Sequence, residues 1–157
     1  MKLTMTLTSP AFPEGGTIPT LYTCEGKNTH PALHFHNVPP PAKSLVLIMD
    51  DPDVPASVRP EMMYDHWIVF NIPPNVQRIE EHGPIPGIQG KSTNGKNMYV
   101  GPCPPFGEHR YFFKLYALDT LLKLPAGATK EEVERAMKGH ILAETHLMGR
   151  YAKKKPG

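Results

Sequence analysis

Two aspartates, two histidines and a tyrosine stand where this sequence passes between loop and apolar strand. Asp51-Pro52-Asp53-Val54-Pro55 follows the apolar run SLVLIM at 44–49. The prolines stiffen that loop, and a stiff loop can present two carboxylates at one place. His66-Trp67 lies inside a second apolar run, YDHWIVFNI at 64–72. The third segment, GPCPPFGEHRY at 101–111, is a Gly/Pro-rich loop that enters a strand through His109, Arg110 and Tyr111. His109 and Tyr111 are two residues apart, so on a strand they share a face. Arg110 points the other way and is assigned a structural role. Each segment also has a plainer reading. Aspartates beside prolines cap turns, and a lone histidine on an apolar strand is commonly a satisfied core residue. A turn alone does not require the pairing of His109 with Tyr111.

The elements that must hold these groups are mostly strands. Residues 2–8 alternate, with Leu3, Met5 and Leu7 on one face. Short or longer apolar strands are read at 33–36, 44–50, 64–72 and 110–118. No amphipathic helix separates them, which argues against βαβ units and for antiparallel pairing. Prolines, 19 of 157 residues, punctuate the chain up to Pro125 and are then absent until the C-terminus. There Thr129 and Glu132 form a capping-box pattern, followed by Val133, Ala136, Met137 and Ile141 at helical spacing. Gly139 would divide this region into two helices. The expected architecture is therefore mostly β with C-terminal helices, in a single domain over 1–157.

Seventeen basic and fifteen acidic residues give a net charge of +2, too little to suggest nucleic acid or an anionic membrane as partner. The basic run Lys153-Lys154-Lys155 reads as a solvated tail. No stretch approaches the roughly 18 apolar residues of a membrane span, and residues 1–8 lack a signal-peptide core. A cytoplasmic location is expected, with Cys24 and Cys103 as free, reduced thiols.

DPDVP, HW within an apolar strand and GPCPPFGEHRYFFKLYALD together resemble the phosphatidylethanolamine-binding protein family, in particular its bacterial, Raf-kinase-inhibitor-like branch. YTCEGKN at 22–28, VPPPAKSLVLIMDDPD at 38–53 and AMKGHILAETHLMGRY at 136–151 extend the resemblance over nearly the whole chain. It implies a central antiparallel sheet packed on a smaller one, in a β-sandwich-like arrangement. It also implies a non-enzymatic binding or regulatory protein without cofactor. Its pocket for anions, phosphorylated groups or phosphoethanolamine-like head groups would be built from Asp51, Asp53, His66, His109 and Tyr111. Pro104 and Gly107 would shape the rim. A kinase or protease target and a homodimer are implied as well. His30, His34 and His36 depart from the branch's pattern and are read as packed or solvated.

Two alternatives stand beside this reading. LVLIMDDPDVP has the look of a strand-DxD phosphatase, whose first aspartate attacks phosphate. Asp51, Asp53, His66 and His109 also suit Zn²⁺ or Fe²⁺ in donor type. On the anion reading, neighbouring carboxylates are expected to raise the histidine pKa values, so that anions bind more tightly at low pH.

Overall fold

The computed structural model describes residues 4–154. Five strands form the main antiparallel sheet: β3 (Ser44–Asp51), β4 (Tyr64–Ile72), β6 (Ile88–Gln89), β7 (Glu108–Leu118) and β8 (Ile141–Ala152). Their order is β6-β4-β3-β7-β8. A smaller sheet, also antiparallel, comprises β1 (Thr6–Thr8), β2 (Leu33–His36) and β5 (Arg78–Ile79) in the order β1-β2-β5. One helix, α1 (Lys130–Met137), completes the molecule's regular elements among the described residues, apart from a short 3₁₀ turn at Thr20–Tyr22.

β3 is apolar without alternation because both faces of the central sheet are covered. Leu45, Leu47 and Met49 enter a core with Trp67, Val69, Phe113 and Leu115, facing Leu7, Leu33, Phe35 and Ile79 of the smaller sheet. Val46 and Ile48 enter a second core with Ile68, Phe70, Val133 and Met137, under α1. The helix begins on the capping box expected from the sequence. Thr129 Oγ1 accepts the Glu132 amide, and Glu132 Oε1 accepts the Thr129 amide.

A second C-terminal helix does not form. Gly139, at φ +85°, follows the end of α1. Residues 141–152 then run as β8, paired with β7 from Leu118 back to Glu108. The helical spacing ending at Ile141 is overridden by a period-two pattern in which Leu147, Gly149 and Tyr151 turn inward. Long-range pairing with the whole of β7 outweighs local propensity. Of the expected first strand, Met5 and Leu7 are buried as read, while Leu3 lies outside the described residues.

Two irregularities between β3 and β4 bear on the site. Met49 faces Trp67 and Asp50 faces Asp65, so His66 is an extra residue on β4. That is a β-bulge, which re-aims side chains near it. A second lies between Leu45–Ile72 and Leu47–Val69, where Asn71 adopts φ +54°. Asp50 and Asp65 oppose each other across the strands, an arrangement of like charges that destabilises a sheet. Lys130 of α1 offsets it, with Nζ 3.2 Å from Asp50 Oδ2 and 2.9 Å from Asp65 Oδ1. Lys114 of β7 adds a contact of 3.0 Å to the same Asp50 oxygen.

Candidate functional site

A cavity of about 280 Å³ opens at the end of the main sheet where β3 finishes and β7 starts. Asp51, His66, His109 and Tyr111 line it, with Tyr64, Arg59, Val54, Val58, Val100, Gly101 and Pro104 among the walls. Asp51 and His109 are both buried, and His109 Nδ1 lies 2.6 Å from Asp51 Oδ2. Asp51 Oδ1 accepts the Asp53 amide at 2.8 Å, which closes the turn after β3. Burial raises the Asp51 carboxyl above the ordinary range, against the opposing pull of His109. His66 donates Nδ1–H to the Val100 carbonyl at 2.5 Å. Its ring is edge-on to Tyr111 at 5.2 Å and lies 4.7 Å from the Tyr64 ring. The Tyr111 hydroxyl is buried and has no hydrogen-bond partner among the described residues. Burial pushes its pKa up, so it remains a protonated donor.

The bulge explains how His66 and Trp67 both turn toward the smaller sheet's side, although they are adjacent. Strict alternation would have sent them to opposite faces. Asp65 takes the α1 side, with Lys130. Trp67 is buried in the core, stacked 5.0 Å from His30, with its indole N–H on Gln89 Oε1. His30 is itself packed, with Nε2 3.0 Å from the Gly83 carbonyl oxygen, and burial lowers its pKa.

The family model described as phosphatidylethanolamine-binding protein matches residues 8–152. The chain belongs to the phosphatidylethanolamine-binding protein family. Among its relatives is a UPF0098 protein of the archaeon Methanothermobacter thermautotrophicus, 50% identical over 153 residues, covering 94% of this chain and 98% of that one. Another, from Chlamydia trachomatis, is 50% identical over 149 residues, covering 95% and 99%. A crystal structure of a phosphatidylethanolamine-binding protein homologue from Chlamydia trachomatis superposes with a TM-score of 0.94 at 49% identity, covering 96% of this chain and 99% of that one. Escherichia coli YbcL, described as a new member of the mammalian family, gives 0.86 at 27% identity, covering 97% and 100%.

In this phosphatidylethanolamine-binding family member, not all residues singled out in the sequence meet. Asp53 does not line the cavity. Its carboxylate takes Arg110 Nε at 2.9 Å, Arg110 Nη2 at 2.8 Å and the Arg110 amide at 2.8 Å. Arg110 thereby holds the Asp53 carboxyl below the usual carboxylate range. This clamp ties the Asp-Pro-Asp loop to the start of β7. Gly107 sits in the preceding turn at φ +72°, a conformation that favours glycine, and is also outside the cavity wall. Pro104 is buried against the cavity. Arg59 is a wall residue that the sequence reading missed. It lies in an aperiodic loop, pairs with Glu61 at 2.9 Å and sits over the Tyr64 ring at 5.8 Å.

Three further expectations change. Cys24 and Cys103 are not free thiols but a disulfide, with Cα atoms 5.4 Å apart. Their sequence separation of 79 left no local signal. Both are exposed, and Cys103 borders the cavity. The net shift of His66 is downward, not upward: burial pushes it to about 4, outweighing the raising pull of the Val100 carbonyl and of Asp50. The strand-DxD phosphatase alternative loses its scaffold. β3 leads to antiparallel β4, and its two aspartates diverge to His109 and Arg110. For the metal alternative, no group of three or more His, Cys, Asp or Glu among the described residues is placed to hold an ion. His34 and His36 lie on one face of β2, ring centroids 6.4 Å apart, and His36 Nε2 lies 2.9 Å from Thr8 Oγ1.

Proposed function

We propose that this protein is a non-enzymatic binding protein whose cavity takes a small oxyanion-type group, phosphate, carboxylate or a phosphoethanolamine-like head group among them. The observation that carries the reading is the buried Tyr111 hydroxyl, a donor without a partner among the described residues, beside the Asp51–His109 pair and His66. A buried polar group left unmatched costs about 1–3 kcal/mol, which an acceptor oxygen in the cavity would remove. Arg59 on the wall supplies positive charge, while the valines and prolines exclude water and strengthen the polar contacts. Family membership supports a regulatory role in which the occupied pocket alters binding to a protein target, a kinase or protease. A homodimer belongs to the same reading, whereas the Cys24–Cys103 disulfide counts against the expected cytoplasmic location, because such bonds persist mainly in oxidising compartments. No helix of the described residues is long and apolar enough to cross a membrane.

The test is a nuclear magnetic resonance titration of the full chain with inorganic phosphate, acetate and phosphoethanolamine. Saturable shifts centred on His66, His109 and Tyr111, reduced in Tyr111→Phe, are expected. Shifts that never saturate, or that cluster away from this cavity, would refute the assignment.

A further inference from the structure

The two halves of the Cys24–Cys103 disulfide stand on unlike supports. Cys24 is fixed to the body of the molecule. Its amide donates to the Pro102 carbonyl oxygen at 3.1 Å, and buried Thr23 before it donates its hydroxyl to the Thr20 carbonyl oxygen at 2.9 Å. Glu25 after it accepts the Tyr151 hydroxyl and, at 2.9 Å, the Lys154 amide. Cys103 opens the segment Cys103-Pro104-Pro105-Phe106, whose backbone makes no hydrogen bond among the described residues. Its two prolines have no amide to give.

This segment is stiff where it starts and hinged where it ends. A proline holds the residue before it extended, so Pro102-Cys103-Pro104-Pro105 moves as one piece. Gly107, at φ +72°, joins it to β7. Cys103, Pro104 and Pro105 form part of the cavity wall. Immediately upstream the wall is pinned without sulfur: the Gly101 amide donates to Asn28 Oδ1 at 2.8 Å, and the Val100 carbonyl accepts from His66 Nδ1. Beyond Pro102 the disulfide and the burial of Pro104 take over. Both cysteines are exposed, so a thiolate in solvent reaches the bond. The strands β3, β4, β7 and β8 pair along their lengths and contain neither cysteine, so the main sheet keeps its register without the bond.

We propose that Cys24–Cys103 is a redox-modification site, cut by a dithiol oxidoreductase, and that cutting it releases the wall segment 103–106 while both sheets stay folded. One thiolate of the reductant attacks either sulfur, and its second thiol resolves the mixed disulfide. Two electrons and two protons thus pass to Cys24 and Cys103, and the reductant leaves as its own disulfide. Exchange with a disulfide oxidant reforms the bond. The wall is then closed in an oxidising compartment and loose in a reducing one. The release does not depend on what the cavity binds; its effect on phosphate rests on the oxyanion reading. A wall that must be ordered again on binding weakens the complex. Nuclear magnetic resonance relaxation of the full chain tests this, oxidised and then reduced by dithiothreitol or a thioredoxin-class protein, with a phosphate titration of each form. On reduction the amide order parameters of Cys103 and Phe106 should fall from about 0.85 to below about 0.6, with those of β3, β4 and β7 unchanged. Phosphate affinity should fall about tenfold. Oxidised glutathione should restore both, and Cys103→Ser should behave as the reduced form without any reductant. A bond that resists both reductants in the folded chain would overturn the proposal. So would unfolding of the whole chain on reduction, unchanged order at Cys103 and Phe106, or equal saturable phosphate binding by the two forms. A segment that loosens while neither form binds phosphate upholds the redox site and refutes the oxyanion reading instead.

Discussion

Replacing both Cys24 and Cys103 with serine should destabilise the protein by about 3–4.5 kcal/mol. The disulfide joins residues 79 apart in sequence. Chain-entropy arithmetic for a closed loop of that length gives about 4.5 kcal/mol at 25 °C, the upper end of what such bonds deliver. Both cysteines are exposed, so serine removes little buried packing and leaves no cavity. The effect should therefore sit in the unfolded chain. Urea denaturation of the oxidised wild type and the double variant separates the possibilities. The midpoint should fall, and the slope with denaturant should rise because an uncrosslinked chain exposes more surface. For a domain of this size the melting temperature should drop by roughly 10 °C or more. A loss below about 1 kcal/mol with an unchanged slope would refute the reasoning, since it would mean that the bond constrains nothing in the unfolded ensemble.

Lys130→Met should cost about 3–5 kcal/mol, because it leaves Asp50 and Asp65 facing each other with Lys114 alone as counter-charge; denaturant unfolding yielding less than about 1 kcal/mol would count against the network. Trp67→Ala should cost about 3–5 kcal/mol through the cavity it leaves, while phosphate shifts at His109 and Tyr111 persist. An unfolding curve like the wild type's, combined with lost phosphate binding, would reverse the assignment. His66 should make stability fall as pH drops. Its folded pKa of about 4 lies below the ordinary 6.5, so the unfolded state binds more protons between those values. The stabilisation is complete above pH ~6.5 and is lost towards pH ~4, about 3 kcal/mol in all. Burial raises Asp51 and Asp65, which work in the opposite sense above pH 3.8. The readout is therefore the difference between wild type and His66→Gln, constant above pH 6.5 and changing below; a constant difference down to pH 4 would show that His66 does not titrate this way.

The strands that carry the cavity were legible because their apolar runs exceed what one buried face explains, and runs that long mark a central sheet covered twice. The capping box was legible for a related reason: its two hydrogen bonds depend on residues three apart. The cavity's principal residues could be gathered from sequence only where they flank strand ends. What escaped depends on distant partners. Nothing near Asp53 announces that Arg110 will take its carboxylate, and nothing near Cys24 announces Cys103. The extra residue at His66 is invisible because a bulge shows only against its partner strand. β8 was misread since residues 136–141 carry a helical spacing that loses to eleven pairings with β7.

Asp50 and Asp51 are neighbours in sequence and face opposite sides of β3; Asp65 and His66 repeat this on β4. One peptide unit thus separates each cavity group from a group that grips α1. β3 is paired along both edges, to β4 and to β7, so one stiff backbone holds both carboxylates. A guest that displaces Asp51 should therefore register at Asp50 and Lys130 on the far side of the sheet, where the exchange of the first α1 amides with solvent would report it.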